Sequence, residues 1–149
     1  MKFGFLLGLI LTCTATLATA QTLPKDWAEL KALSPNVASF VHLGAPPQTE
    51  SSVTLQIHPD SGKVKTLHDQ FISGKLPKKF GKLKLVKQEK VGRCDRVLLE
   101  HTDSKLPQER QTWCFEKAQA WVVVERGPWR LDSQFISELL RKHGWDKKP

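Results

Sequence analysis

Hydrophobic and polar residues alternate along several short stretches of this chain, and each such stretch predicts a half-buried β-strand. The clearest case is 53–57, where Val53, Leu55 and Ile57 are separated by polar residues. Because side chains two positions apart lie on the same face of a strand, this stretch has one apolar face and one polar face. Further strands are predicted over 37–43, 83–90, 94–101, 109–116 and 121–124.

Apolar residues recur at helical spacing in three other stretches. Helices are predicted over 24–33, 64–72 and 131–143. Trp27 and Leu30 are three positions apart in the first, and Gly74 follows the second as a plausible stop. The third has the most regular apolar stripe, and either Asp132 or Ser133 can cap its start.

The predicted order is one helix, two strands, a helix, four strands and a final helix. Short links between the last four strands favour an antiparallel meander. The expected fold class is therefore α+β, a mainly antiparallel sheet with a four-strand C-terminal meander and helices packed on it. This order of elements, over most of 25–143, resembles the PsbP-like α/β sandwich. The resemblance implies a fold and carries no functional residues with it.

The first twenty residues have the three-part layout of a secretory signal peptide. Lys2 provides a positive start, a short apolar run follows it, and Ala18-Thr19-Ala20 supplies small residues before Gln21. We therefore expect 1–20 to be removed and 21–149 to form one domain in the periplasm or outside the cell. Retention of the segment as a membrane anchor and lipid attachment at Cys13 are the alternatives.

The chain is basic, with 23 Lys and Arg against 15 Asp and Glu and a formal net charge of +8. Loss of Lys2 with the signal would leave +7. Such a charge attracts anionic surfaces, among them lipid head groups, acidic envelope polymers, nucleic acid and acidic proteins. The alternative is that the charge only confers solubility.

Removal of Cys13 with the signal would leave two cysteines, Cys94 and Cys114. An even number in an oxidising compartment predicts one disulfide. A hairpin centred at Ser104 would place the two cysteines directly opposite each other on adjacent strands, where β-carbons lie within about 5.5 Å. Closing this loop would contribute on the order of 3 kcal/mol. A redox-active pair is disfavoured, because the spacing is not Cys-x-x-Cys.

An unusual concentration of lysine occupies 75–90, with Glu89 as the one acid among them. The candidate anion-binding residues are Lys75, Lys78, Lys79, Lys82, Lys84, Lys87 and Lys90. They are typical of a cationic patch for phosphate-bearing or acidic partners. Lysine also protects the edges of sheets from pairing with other chains, so edge protection is the competing hypothesis.

No sequence motif predicts catalysis, a cofactor or a metal site. The five histidines show no His-Glu-x-x-His spacing, and His68 and Asp69, being adjacent in sequence, are expected to point apart on a helix. The sequence therefore favours a small exported non-enzymatic protein that binds a partner in the cell envelope or periplasm. The alternatives are an envelope-acting hydrolase with a site assembled from scattered residues, and a cationic module that adheres to polyanions or membrane surfaces. Nucleic acid is the least favoured partner.

Overall fold

The computed structural model describes residues 22–32, 34–44, 50–59, 62–102, 109–116 and 119–142. Outside these residues lie the predicted signal segment and His143, the last residue of the third predicted helix. Within the described part, the chain forms seven strands, two α-helices and a short 3₁₀ turn at Lys78–Phe80. Their bounds are β1 Trp27–Leu30, β2 Val37–His42, β3 Ser52–Pro59, α1 Lys63–Ile72, β4 Leu83–Val91, β5 Cys94–His101, β6 Arg110–Glu116, β7 Gln119–Arg126 and α2 Ser133–Lys142.

All seven strands belong to one antiparallel sheet in the order β1-β2-β3-β7-β6-β5-β4. Strands β4 to β7 pair in chain order, and β3 then pairs with β7, where Leu55 lies opposite Val123. The short strand β1 and the long strand β4 form the two edges. The predicted α+β class with a mainly antiparallel sheet is confirmed.

The helix predicted over 24–33 is wrong, because this stretch contains strand β1. Trp27 pairs with His42 and Leu30 pairs with Ser39. Trp27 is 9% exposed and Leu30 is 47% exposed, so the two side chains do not share a buried helical face. Pairing with β2 outweighs a helix propensity that is weak over so short a stretch.

Two hydrophobic cores lie on opposite faces of the sheet. On one face, α2 packs against β1, β2, β3 and β7 through a cluster that includes Phe40, Leu55, Val123 and Phe135. On the other face, α1 packs against β4, β5, β6 and β7, and the aromatic side chains of this cluster are Phe71, Trp113 and Phe115. Strand β7 serves both cores, since Val122 belongs to one and Val123 to the other.

Helix α2 begins and helix α1 ends as the sequence predicts. The carboxylate of Asp132 accepts hydrogen bonds from the backbone N–H of Gln134 at 2.8 Å and of Phe135 at 3.4 Å, so Asp132 caps α2. After α1, Gly74 has φ 72°, a left-handed conformation that favours glycine at a helix end. In the described part of the chain, neither helix is long and apolar enough to cross a membrane.

The turn after β7 is packed tightly against the start of β3. Gly127 has φ 83°, and a β-carbon there would lie 2.4 Å from the carbonyl oxygen of Glu50. The fully buried Ser51 accepts a hydrogen bond from the backbone N–H of Trp129 at 3.0 Å. Position 127 therefore requires glycine for both its conformation and its lack of a side chain.

Candidate binding cleft beside the first helix

A cavity of about 660 Å³ opens between α1 and the adjoining ends of β4, β5 and β6. We call it the α1 cleft. Its helical wall carries Lys65 and His68, and its strand wall carries Lys90, Arg93 and Asp95. Phe115 and Glu116 of β6 also line the cleft.

The strand wall of the α1 cleft comes from a tight hairpin. Val91 lies opposite Cys94, so Gly92 and Arg93 form a two-residue connection between β4 and β5. Gly92 has φ 59°, which such short hairpin turns require and glycine tolerates. Arg93 is exposed at the tip of the hairpin, and Asp95 follows two positions later on the face that carries α1.

His68 is held between two carboxylates. Its Nε2 lies 3.1 Å from Oδ2 of Asp95, and its Nδ1 lies 3.5 Å from Oδ1 of Asp69. The expectation that His68 and Asp69 point apart is therefore wrong, because their side chains approach each other to 3.5 Å. Both ring nitrogens of His68 thus have a carboxylate of the protein as their neighbour.

Two of the three cations of the α1 cleft already have carboxylate partners. Lys65 contacts Asp69 at 2.7 Å and Lys90 contacts Asp95 at 3.2 Å. The hydrogen bond from Lys65, together with the neighbouring His68, lowers the pKa of Asp69 and keeps it ionised. Arg93 makes no ion pair with any other residue that the structure describes. A ligand anion would therefore meet one unpaired guanidinium beside two cations that are already paired.

The predicted disulfide between Cys94 and Cys114 is present, but not in the predicted register. Arg96 lies opposite Cys114, so Cys94 is displaced by two residues along β5 and the bond runs diagonally across the strand pair. The two Cα atoms are 5.6 Å apart, which a disulfide spans. The predicted hairpin centre at Ser104 is one residue too early. Moving the centre by one residue changes the residue that lies opposite Cys114 by two positions.

The lysine-rich run follows the outer edge of the sheet. Lys75 comes after α1, Lys78 and Lys79 lie in the 3₁₀ turn, and the remaining four lie immediately before or on β4. All seven side chains are exposed. Of the seven, Lys90 lines the α1 cleft. The run is thus an edge-strand feature that reaches the α1 cleft at one end, and both hypotheses for it, anion binding and edge protection, stay open.

Acidic side chains beside this run are engaged in ion pairs. Glu89 contacts Lys87 at 2.8 Å and also Arg96, and these hydrogen bonds lower the pKa of Glu89. On the neighbouring strands Arg110 contacts Glu125 at 2.7 Å. The described residues contain no group of three or more His, Cys, Asp or Glu side chains arranged to hold a metal ion.

His58 is a second histidine with a distinctive environment. Its ring stacks on Trp113 with centroids 5.3 Å apart, and its Nε2 is buried without a hydrogen-bond partner among the described residues. Burial, and then the nearby charge of Lys79, lower the pKa of His58 below 6.5. His58 lies at the end of β3, outside the lining of the α1 cleft.

Sequence reasoning missed the residues that define the α1 cleft. His68 and Asp95 are 27 positions apart, and the pairing of a helix side chain with a strand side chain leaves no periodic signal. Gly92 between two predicted strands permits a turn. That Arg93 has no carboxylate partner among the described residues depends on three-dimensional packing.

Comparisons with known proteins add little. No protein family model matches the chain, and no curated protein matches it. Among solved structures, a crystal structure from Bacteroides thetaiotaomicron at 1.50 Å resolution is similar over 77% of this chain and 40% of its own, with 12% sequence identity and a TM-score of 0.39. This chain therefore spans less than half the length of that protein, and a likeness of this size carries no functional argument.

Proposed function

We propose that this is a small exported, non-enzymatic protein that binds an acidic partner in the cell envelope or periplasm. In this proposal the α1 cleft receives a carboxylate or phosphate group of that partner. The observation that carries the proposal is Arg93, an exposed guanidinium without an ion-pair partner among the described residues, at the mouth of the cleft. Arginine is suited to this role because its planar fork binds carboxylate and phosphate with two parallel hydrogen bonds.

The chemistry of the α1 cleft favours binding over catalysis. No described lining residue carries a hydroxyl or thiol that could act as a nucleophile. His68, the histidine of the cleft, has both ring nitrogens next to carboxylates. Lys65 and Lys90 are paired with carboxylates at distances of 2.7 and 3.2 Å, so a ligand anion would compete with Asp69 and Asp95 for them.

Export is part of the proposal and rests on two features. Residues 1–20 have the layout of a signal peptide, and the chain contains a disulfide, which persists in oxidising compartments. A mature protein that begins at Gln21, measured by intact mass after expression in a bacterial host, supports export. A protein that retains the segment contradicts it.

The test of the binding site compares two charge-equivalent variants. Isothermal titration measures binding of tetraglutamate and of tripolyphosphate to the exported protein, so that carboxylate and phosphate ligands are distinguished. We expect Arg93→Gln to weaken the preferred probe about tenfold, since one charge-assisted bidentate contact is lost. The matched control is Lys31→Gln, which removes the same charge next to β1 at the opposite edge of the sheet. Equal losses in both variants, or no binding of either probe by the native protein, would contradict the proposal.

A hydrolase is the second candidate, because the contact of 3.1 Å between His68 and Asp95 lies in the α1 cleft. For this function, His68→Asn would abolish turnover of an envelope polymer. If the protein only binds its partner, no hydrolysis is detected in the native protein, and the variant changes only the affinity for the probe.

The third candidate is adhesion through the lysine-rich run. Lys78, Lys79, Lys82 and Lys84 replaced together by glutamine would then flatten the salt dependence of heparin binding. If the run protects the edge of β4, the same variant instead raises light scattering from aggregation and leaves heparin binding unchanged.

We also propose, on architecture alone, that the chain is a PsbP-like α/β sandwich with a four-strand C-terminal meander. The consecutive antiparallel pairing of β4 to β7 and a helix on each face of the sheet support this. The absence of the predicted first helix removes one element from the match. An experimental structure of 21–149 tests it.

A further inference from the structure

The residues on the strand wall of the α1 cleft are sequence neighbours of the disulfide. Arg93 and Asp95 flank Cys94, and Phe115 is next to Cys114. Glu116, which also lines the cleft, is two residues from Cys114. The cleft wall on β5 and β6 is thus assembled around the two bonded cysteines.

Strand alternation places the disulfide behind this wall. Asp95 lies opposite Phe115, and the ring of Phe115 packs against Phe71 of α1, so both residues are on the α1 face. Cys94 and Cys114 occupy the alternate positions and therefore face the other way. Both are buried, at 7% and 4% exposure, and neither belongs to the cluster under α1. The bond therefore links β5 to β6 on the face of the sheet opposite the α1 cleft.

This bond lies next to one edge of the sheet. Strand β4 has no neighbour on its outer side, and the β4–β5 hairpin that carries Arg93 ends at that corner of the sheet. The register of β4 also shifts between Leu85 and Lys87. Hairpin ends at the edge of a sheet open readily, because few buried contacts hold them. The diagonal link from Cys94 to β6 restrains the hairpin end on its inner side.

We infer that the Cys94–Cys114 disulfide is a positioning element of the anion-binding cleft, which holds Arg93 and Asp95 in place for the ligand. This inference rests on the proposed function. It differs from a role in global stability alone, because it requires binding to be lost in excess of any loss of stability. The physical basis is preorganisation: a wall that must be ordered on binding lowers affinity even when all its contacting residues are retained.

The test replaces both cysteines and compares affinity with stability. We expect Cys94→Ala with Cys114→Ala to weaken binding of the preferred probe about tenfold, the cost of ordering two or three side chains on binding. The control is Leu139→Ala, which destabilises the α2 core on the opposite face. At a temperature where circular dichroism shows all three proteins to be folded, the control should bind like the native protein. A double variant that binds as tightly as the native protein overturns the inference.

Reduction of the native protein provides the second measurement, for use if the double variant does not fold. A dithiol such as dithiothreitol breaks the S–S bond, delivers two electrons and two protons to form two thiols, and is itself oxidised to a cyclic disulfide. Hydrogen exchange of the reduced protein should then increase at 93–96 and 113–116 and remain slow in β2 and β3. Uniform change across the sheet, or none, contradicts a positioning role. These outcomes differ from failure of the proposed function, which is lack of probe binding by the oxidised native protein.

Discussion

Each half of the sheet has its own hydrophobic core, but the two cores end differently. Under α2, the cluster that contains Phe40 and Phe135 extends across β1, β2, β3 and β7. Under α1, the aromatic cluster does not extend to the β4–β5 turn, and charged side chains line the α1 cleft at that end. Core and candidate site therefore lie end to end under the same helix in the α1 half. We conclude that the α2 half mainly stabilises the sheet and the α1 half presents the cleft.

Because Val122 and Val123 of β7 belong to different cores, we expect the two halves to unfold as one cooperative unit even when either core is truncated. Phe71 is fully buried against Phe80, Trp113 and Phe115, and Phe40 is 1% exposed against Phe135.

We expect Phe71→Ala and Phe40→Ala each to lower the free energy of unfolding by about 3–5 kcal/mol. Urea denaturation followed by circular dichroism and by tryptophan fluorescence should give one coincident transition for both variants. Separate transitions for the two probes would show that the halves fold independently.

Substitutions at two turn glycines compare the two halves further, because Gly127 precedes α2 and Gly92 lies in the β4–β5 turn of the α1 half. Gly127→Ala should cost more than about 2 kcal/mol, because the residue has positive φ and its β-carbon would collide with the backbone of Glu50. Gly92→Ala should cost about 1 kcal/mol, because φ is also positive but no atom lies within 4 Å. Melting temperatures of the two variants check this order, and a larger loss for Gly92→Ala would contradict it.

A smaller effect is expected from His58, whose pKa is lowered in the folded protein by burial and by Lys79. The unfolded chain takes up this proton near pH 6.5, above the pKa of the folded state. Folding stability should therefore be complete above pH 6.5 and fall as the pH drops toward the folded pKa.

Urea denaturation at pH 7.5 and 6.0 (about one unit above and half a unit below the unfolded pKa) measures this loss. His58→Asn should reduce it and serves as the test variant, with His101→Asn as the control. If the His58 variant loses as much stability between the two pH values as the native protein does, His58 is not the cause of the pH dependence.

Much of the fold follows from local patterns, and the places where prediction failed have physical causes. The alternation of apolar and polar residues predicted strands such as β3. The apolar stripe and the cap at Asp132 predicted α2, because periodicity and capping are local properties. β1 was mistaken for a helix because four residues carry too weak a preference to outweigh pairing with β2.

The candidate site was less predictable than the fold. The disulfide partners could be inferred from cysteine number and strand parity, but the exact register depends on a turn whose length the sequence does not reveal. The contact between His68 and Asp95 joins a helix to a strand, and no local pattern encodes it. The lysine-rich run was conspicuous in the sequence, yet Lys90 is its one member that lines the α1 cleft.

The central claim, that the α1 cleft binds an acidic group, is tested most directly by mapping the probe on the native protein. Amide shifts of ¹⁵N-labelled protein are followed while tetraglutamate or tripolyphosphate is added. We expect the largest saturable shifts at Lys65, Lys90, Arg93 and Glu116, with β1, β2 and α2 unaffected. Shifts confined to 75–87 on the edge of the sheet, or spread over the α2 half, would contradict the claim.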